Sequence, residues 1–70
     1  MDYEQLTVER DGSVTVVRLA RPERANALSR ALMSELIHCA EAFHDDLETR
    51  AVVFAGEGRH FCAGADLTEP

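Results

Sequence analysis

The chain has no tryptophan, one tyrosine, three phenylalanines, two cysteines and, among its seven cationic residues, arginine only. So little aromatic bulk gives a self-contained core few large side chains to form around. A chain of this size also buries only about 60% of its unfolded surface, so the segment alone is expected to be marginally stable. The seven arginines face thirteen acids, for a formal charge of -6. That balance argues against nucleic acid as a partner, because phosphate backbones are gripped by clustered lysine and arginine. No apolar run approaches the ~20 residues that span a bilayer. The acidic start Met1-Asp2-Tyr3-Glu4 lacks the basic-then-apolar order of a secretory signal. A cytoplasmic protein with no membrane partner is the expectation. The two cysteines, Cys39 in a predicted helix and Cys62 in a predicted loop, are read as free thiols, since nothing indicates an oxidising compartment.

Hydrophobic residues make up 46% of the chain, which is globular rather than disordered. Within residues 3–10, Leu6 and Val8 alternate with polar neighbours and predict a half-buried strand. Asp11-Gly12 is read as the centre of a type I′ hairpin turn. Residues 13–20, with Val14, Val16, Val17 and Leu19, then return antiparallel. Arg21-Pro22 ends that strand, because proline cannot donate to a ladder. A loop follows to Asn26, whose side chain is expected to tie it together by hydrogen bonds. Ser29 is a good N-cap, and Leu28 with Met33 has the spacing of a hydrophobic staple. The helix is predicted over residues 30–45, with Leu32, Met33, Leu36, Ile37, Ala40 and Phe43 as one buried stripe. His38 and His44 read as packing or surface residues. Asp45 and Asp46 fall near the negative end of the helix dipole, and nothing local accounts for them. Residues 50–55 are apolar on both faces and predict a strand covered on both sides. A strand following a helix that itself follows a strand implies a parallel crossover.

The chemistry is concentrated in Gly56-Glu57-Gly58-Arg59-His60-Phe61-Cys62-Ala63-Gly64-Ala65-Asp66-Leu67. Small residues let a ligand approach backbone amides closely. Asp66 and Glu69 have the spacing of a capping box, so a helix is expected to begin near Leu67. Amides at such a start have no intrahelical partner and suit an oxygen that becomes negative during reaction. Glu57, Asp66 and Glu69 are too local to serve as acid/base groups. His60 lacks a partner as a base, and Cys62 lacks a paired histidine as a nucleophile. His60-x-Cys62 has too few ligands for a metal. Arg18, Arg21 and Arg24 would by default be solvated surface charges.

At these residues the chain resembles the enoyl-CoA hydratase/isomerase (crotonase) family. Phe61-Cys62-Ala63-Gly64-Ala65-Asp66-Leu67, with Gly56 and Gly58, looks like its first signature. Arg21-Pro22-Glu23-Arg24-Ala25-Asn26-Ala27-Leu28 is similar to its Arg-Pro-x-x-x-Asn-Ala-Leu pattern, in the right order and at the right separation. The resemblance implies an α/β fold built as a spiral of ββα repeats. Residues 1–70 would be an incomplete N-terminal part of one such domain, with a helix and a strand left unfinished at the end. It implies chemistry through a thioester enolate whose oxygen is held by two backbone amides. The Ala65 amide is the first. The second donor and the acid/base side chains lie beyond residue 70. Coenzyme A, as part of the substrate rather than a cofactor, would lie against Ala63, Gly64 and Ala65 and against Arg24, Ala25 and Ala27. Arg24 would meet a phosphate, with Arg21 close enough to help. No metal is implied. The acyl-CoA thioester is the expected partner, and a full-length parent would be a homotrimer or homohexamer. Two other readings compete: a truncated, inactive remnant, and a small module that pairs with a partner through a strand edge.

Overall fold

The first reversal of the chain falls one residue later than the sequence implied. In the computed structural model, which describes residues 3–68, strands β1 (Leu6–Asp11) and β2 (Val14–Leu19) pair antiparallel from Leu6↔Leu19 to Asp11↔Val14. Asp11 is therefore a strand residue, and the turn is Gly12-Ser13 rather than Asp11-Gly12. Gly12 has φ 62° while Ser13 is not in the positive-φ region. That is the sign pattern of a type II′ turn, not type I′. The register follows from burial: Thr15, Val17 and Leu19 point to the core together with Leu6. A slip of one residue would turn that whole set outward.

Helix α1 (Arg30–His44) then crosses the sheet, and β3 (Ala51–Gly56) returns parallel to β2, giving the order β1-β2-β3. The Ser29 cap is present, its Oγ accepting from the Leu32 amide at 3.1 Å. Leu6, Val17, Leu19, Leu32 and Cys39 form the buried core, with Leu36, Phe43, Val52 and Cys62 packed against it.

Two expectations about burial change. Leu32, Leu36 and Phe43 face the sheet, but Met33 and Ile37 are 42% and 54% exposed, and Ala40 also faces out. The apolar positions cover more of the helix circumference than contact with one sheet can bury. Glu35 and Cys39 complete the sheet-facing line instead. Glu35 is tolerated there because its Oε1 accepts from the Gln5 amide at 2.8 Å. Strand β3, expected to be covered on both faces, leaves Val53 and Phe54 about half exposed. Among the described residues α1 is the one α-helix, so the face that carries Val53 has no covering layer, while Phe54, on the face of Val17, lies at the edge strand where α1 does not bury it. Cys39 and Cys62 are both free thiols, as expected. Burial pushes the Cys39 thiol above its ordinary range.

The connection from α1 to β3 explains Asp46 at the helix end. Asp46 lies outside the helix, where its Oδ1 accepts from the amides of Glu48 and Thr49 at 2.9 and 3.1 Å. Its Oδ2 accepts from Thr49 Oγ1 at 2.6 Å and from Arg10 Nη2 at 2.5 Å. Thr49 spends its proton on Asp46, so Thr15 donates across the 2.8 Å contact between the two hydroxyls. Asp46 therefore ties the connection to both strands of the hairpin. The Thr49 hydroxyl, followed by the two amides and Arg10, holds its carboxyl at about 2, below the ordinary 3.8. Because the folded value is depressed, this contribution to stability is complete above 3.8 and is lost as pH falls toward about 2. Asp46→Asn is expected to flatten that part of the acid limb in a pH series of urea midpoints. An unchanged acid limb would overturn the assignment.

Candidate functional site

Two loops, residues 21–28 and 56–67, meet at the sheet edge, and one side chain joins them. The first loop makes a single 3-10 turn over Pro22–Arg24, then passes through Ala25 and Asn26 at φ 51° and 56°. Asparagine enters this left-handed region readily, whereas alanine does so at a cost. Asn26 is fully buried. Its Oδ1 accepts from the Arg21 amide at 2.8 Å, and its Nδ2 donates to the carbonyls of Glu57 and His60 at 2.9 and 2.8 Å. The expected loop tie is thus also a bridge between both loops. Gly56 makes room for it: a Cβ there would fall 2.5 Å from the Phe61 carbonyl oxygen and 2.8 Å from Asn26 Nδ2.

The second contact is a parallel bridge between Leu28 and Ala65. Leu28 donates to the Gly64 carbonyl at 2.7 Å, and the Asp66 amide donates back to Leu28 at 3.0 Å. The Ala63 amide donates to the Ala25 carbonyl at 3.0 Å, and the Gly64 amide to Cys62 Sγ at 3.5 Å. Of the four amides from Ala63 to Asp66, only that of Ala65 has no partner among the described residues. The bridge itself requires this, since in a parallel pairing the N–H of the residue opposite Leu28 points away from Leu28.

Ala65 lines a cleft of about 720 Å³. Of the other residues expected at a ligand, Arg24, Ala25 and Ala27 line the same cleft, while Ala63 and Gly64 do not. Those two instead hold the loop through their amides. The Arg24 guanidinium has no partner among the described residues and is exposed. Arg21 is not available to assist it. Its Nη1 donates to the Ala27 carbonyl at 2.5 Å and its Nη2 pairs with Asp66 Oδ2 at 3.2 Å, with the two side chains 12% and 6% exposed. Proximity in sequence to Arg24 suggested a shared role, but the 3-10 turn separates the two side chains. Arg59 and His60, beside the signature, also line the cleft. Nothing in their spacing alone distinguished them from surface residues.

Asp66 closes the loop. Its Oδ1 accepts from the Thr68 amide at 3.0 Å and from the Thr68 hydroxyl at 2.6 Å. These two bonds, and after them Arg21, hold its carboxyl below the usual carboxylate range. Leu67 and Thr68 form a turn, and Glu69 of the expected capping box lies outside the described residues. Among the described residues no group of three or more potential ligands could hold a metal, and no helix is long and apolar enough to cross a membrane.

Known proteins share this arrangement. A probable enoyl-CoA hydratase of Rhizobium meliloti is 45% identical over 69 residues, which are 99% of this chain and 27% of that protein. 3-Hydroxyisobutyryl-CoA hydrolase 1 of Arabidopsis thaliana is 41% identical over 63 residues, covering 90% of this chain and 17% of its own length. The crystal structure of enoyl-CoA hydratase from Bacillus anthracis superposes with a TM-score of 0.92 at 37% identity, over 94% of this chain and 26% of that one. The chain thus spans about a quarter of the length of the enoyl-CoA hydratases it matches. The α/β architecture is that of the N-terminal region of the crotonase fold. The enoyl-CoA hydratase/isomerase profile covers residues 9–70, both loops included, and the chain belongs to that family.

Proposed function

We propose that this segment supplies the CoA-facing loops and the first oxyanion donor of an enzyme acting on acyl-CoA thioesters through an enolate. The observation that carries the reading is the Ala65 amide, unpartnered among the described residues, in a residue that lines the cleft. An amide fixed there needs no reorganisation when charge develops on a thioester oxygen, which is how preorganised donors lower a barrier. Arg24, with no partner among the described residues on the same cleft, has the charge to meet a CoA phosphate. Ala25 and Ala27 line the cleft beside it with small side chains. Hydration of an enoyl-CoA is the reaction proposed for the whole protein. The relatives named above include both a hydratase and a hydrolase, and a CoA thioester is common to the two.

The segment alone is proposed to be inactive, because Asp66, the carboxylate next to Ala65, is committed to Thr68 and Arg21. The reading is tested in a full-length chimera, the Rhizobium meliloti relative with its matching 69 residues replaced by those of this chain. Hydration of a short enoyl-CoA is followed by loss of its ultraviolet absorbance. Turnover within tenfold of that of the unaltered relative is expected, about 1.4 kcal/mol at most in barrier. A folded chimera that neither turns over nor binds the thioester would overturn the proposal.

A further inference from the structure

The Arg21–Asp66 pair lies deeper than an ordinary surface ion pair, its side chains being 12% and 6% exposed. Asp66 directly follows the residue whose amide is free, so a carboxylate sits one position from the proposed oxyanion site. Unpaired, that negative charge would oppose charge growing on an oxygen at the Ala65 N–H, in surroundings less screening than water. Arg21 supplies the opposite charge at 3.2 Å. Its second nitrogen, Nη1, donates to the Ala27 carbonyl within its own loop. One planar side chain therefore clamps the two loops that meet at Leu28 and Ala65 and also offsets the acid beside the free amide. A lysine could not do both, since its ammonium is a point charge without the guanidinium's fork. Asp66 cannot simply be absent either, because it orders Thr68 through two hydrogen bonds.

We propose that Arg21 is a positioning residue for the oxyanion site: it neutralises Asp66 and holds the Ala27 strand of the cleft, so that the Ala65 amide faces the cleft unopposed. This rests on the reading of Ala65 given above. A purely structural pair and an electrostatic one differ in symmetry. If the pair only held the loops, removing either partner would cost activity comparably. If charge matters, removing Arg21 leaves a carboxylate opposing the developing oxyanion. Removing the charge of Asp66 leaves a cation, which does not oppose it.

The test compares Arg21→Gln, Asp66→Asn and the double variant in the chimera, reading kcat and KM separately with circular dichroism to follow folding. Arg21→Gln is expected to lower kcat on the order of 10- to 100-fold, the scale of a misplaced or opposed reacting group, with a smaller change in KM. Asp66→Asn is expected to cost several-fold less. The double variant is expected to recover most of what Arg21→Gln loses. Equal losses for the two single variants, or a double variant no better than Arg21→Gln, would overturn the electrostatic role. If Arg21→Gln unfolds the chimera, the ratio of Asp66→Asn to unaltered kcat still decides: a loss as large as 100-fold would refute the inference. Should the folded, unaltered chimera neither turn over nor bind the thioester, the functional reading falls and takes this inference with it. Turnover with indifferent variants removes this inference alone.

Discussion

Replacing Ala65 by proline in the chimera is expected to lower kcat on the order of 10²–10³-fold, the effect of losing one oxyanion donor. Proline removes this N–H, and because it also fixes its own φ and restricts Gly64 before it, circular dichroism must show that the variant folds. The Ala65 amide has no partner among the described residues, whereas its neighbours do: Ala63 donates to Ala25, Gly64 to Cys62 Sγ and Asp66 to Leu28. The preceding Gly64, at φ 95° with nothing near its Cβ direction, gives room on the N-terminal side. The bridge to Leu28 uses the Gly64 carbonyl and the Asp66 amide, so it survives the substitution. Proline at residue 63 is the contrasting control. It would break the bond to Ala25 and should lower stability as well as rate. An interaction made only as charge develops is lost from kcat, with little change in thioester binding. Ala65→Pro with unchanged kcat in a folded chimera would exclude this amide as a donor. A matched rise in KM alone would instead assign Ala65 to ground-state binding.

The elements themselves were legible because their physics is local. Alternation in residues 3–20, the Ser29 cap and the helical periodicity each bind neighbours in sequence, and the resulting β1, β2, α1 and β3 are close to expectation. What escaped was set by contact between distant segments. The apolar residues of α1 cover a wide arc, and the sequence does not say which part of it meets the sheet. Only the packing chooses Cys39 over Ile37. The hairpin turn moved by one residue, which changes Leu6's partner from Val17 to Leu19 but keeps Thr15, Val17 and Leu19 on the face of Leu6, so alternation alone did not choose between the two registers. Asp46 looked misplaced as a helix residue, but it lies past the helix end, capping Glu48 and Thr49 locally and reaching Arg10 36 residues away. At the site, resemblance pointed to six residues as CoA contacts. The geometry brings Arg24, Ala25, Ala27 and Ala65 to the cleft, while Ala63 and Gly64 lock the loop through their amides. Arg21 could not be told from Arg24 in the sequence, because the 3-10 turn between them decides which side chain goes inward.

Asn26 is where the largest loss of stability is expected, and aspartate is the most informative replacement. Aspartate has nearly the same shape and, like asparagine, tolerates the left-handed backbone at φ 56°. One carboxylate oxygen would still accept from the Arg21 amide. The other would replace an N–H donor with an acceptor facing the carbonyls of Glu57 and His60. Two part-buried carbonyls thus lose their donor and a fully buried side chain gains a charge. At about 1–3 kcal/mol for each unsatisfied group, Asn26→Asp should cost roughly 3–5 kcal/mol. Alanine would lose the same bonds and leave the Arg21 amide unpartnered, but would add no charge. The two variants separate by pH. Burial and the facing carbonyls raise the folded-state pKa of the introduced acid above its unfolded value. Its penalty is therefore greatest at neutral pH and shrinks as pH falls through that raised value, where the protonated acid can donate to one carbonyl. The loss in Asn26→Ala does not titrate in this way. Urea midpoints of both variants in the chimera, measured from pH 8 to pH 5, should converge as the pH falls. Parallel midpoints, or an Asn26→Asp variant as stable as the unaltered protein at pH 8, would show that the two loops are not held together through this side chain.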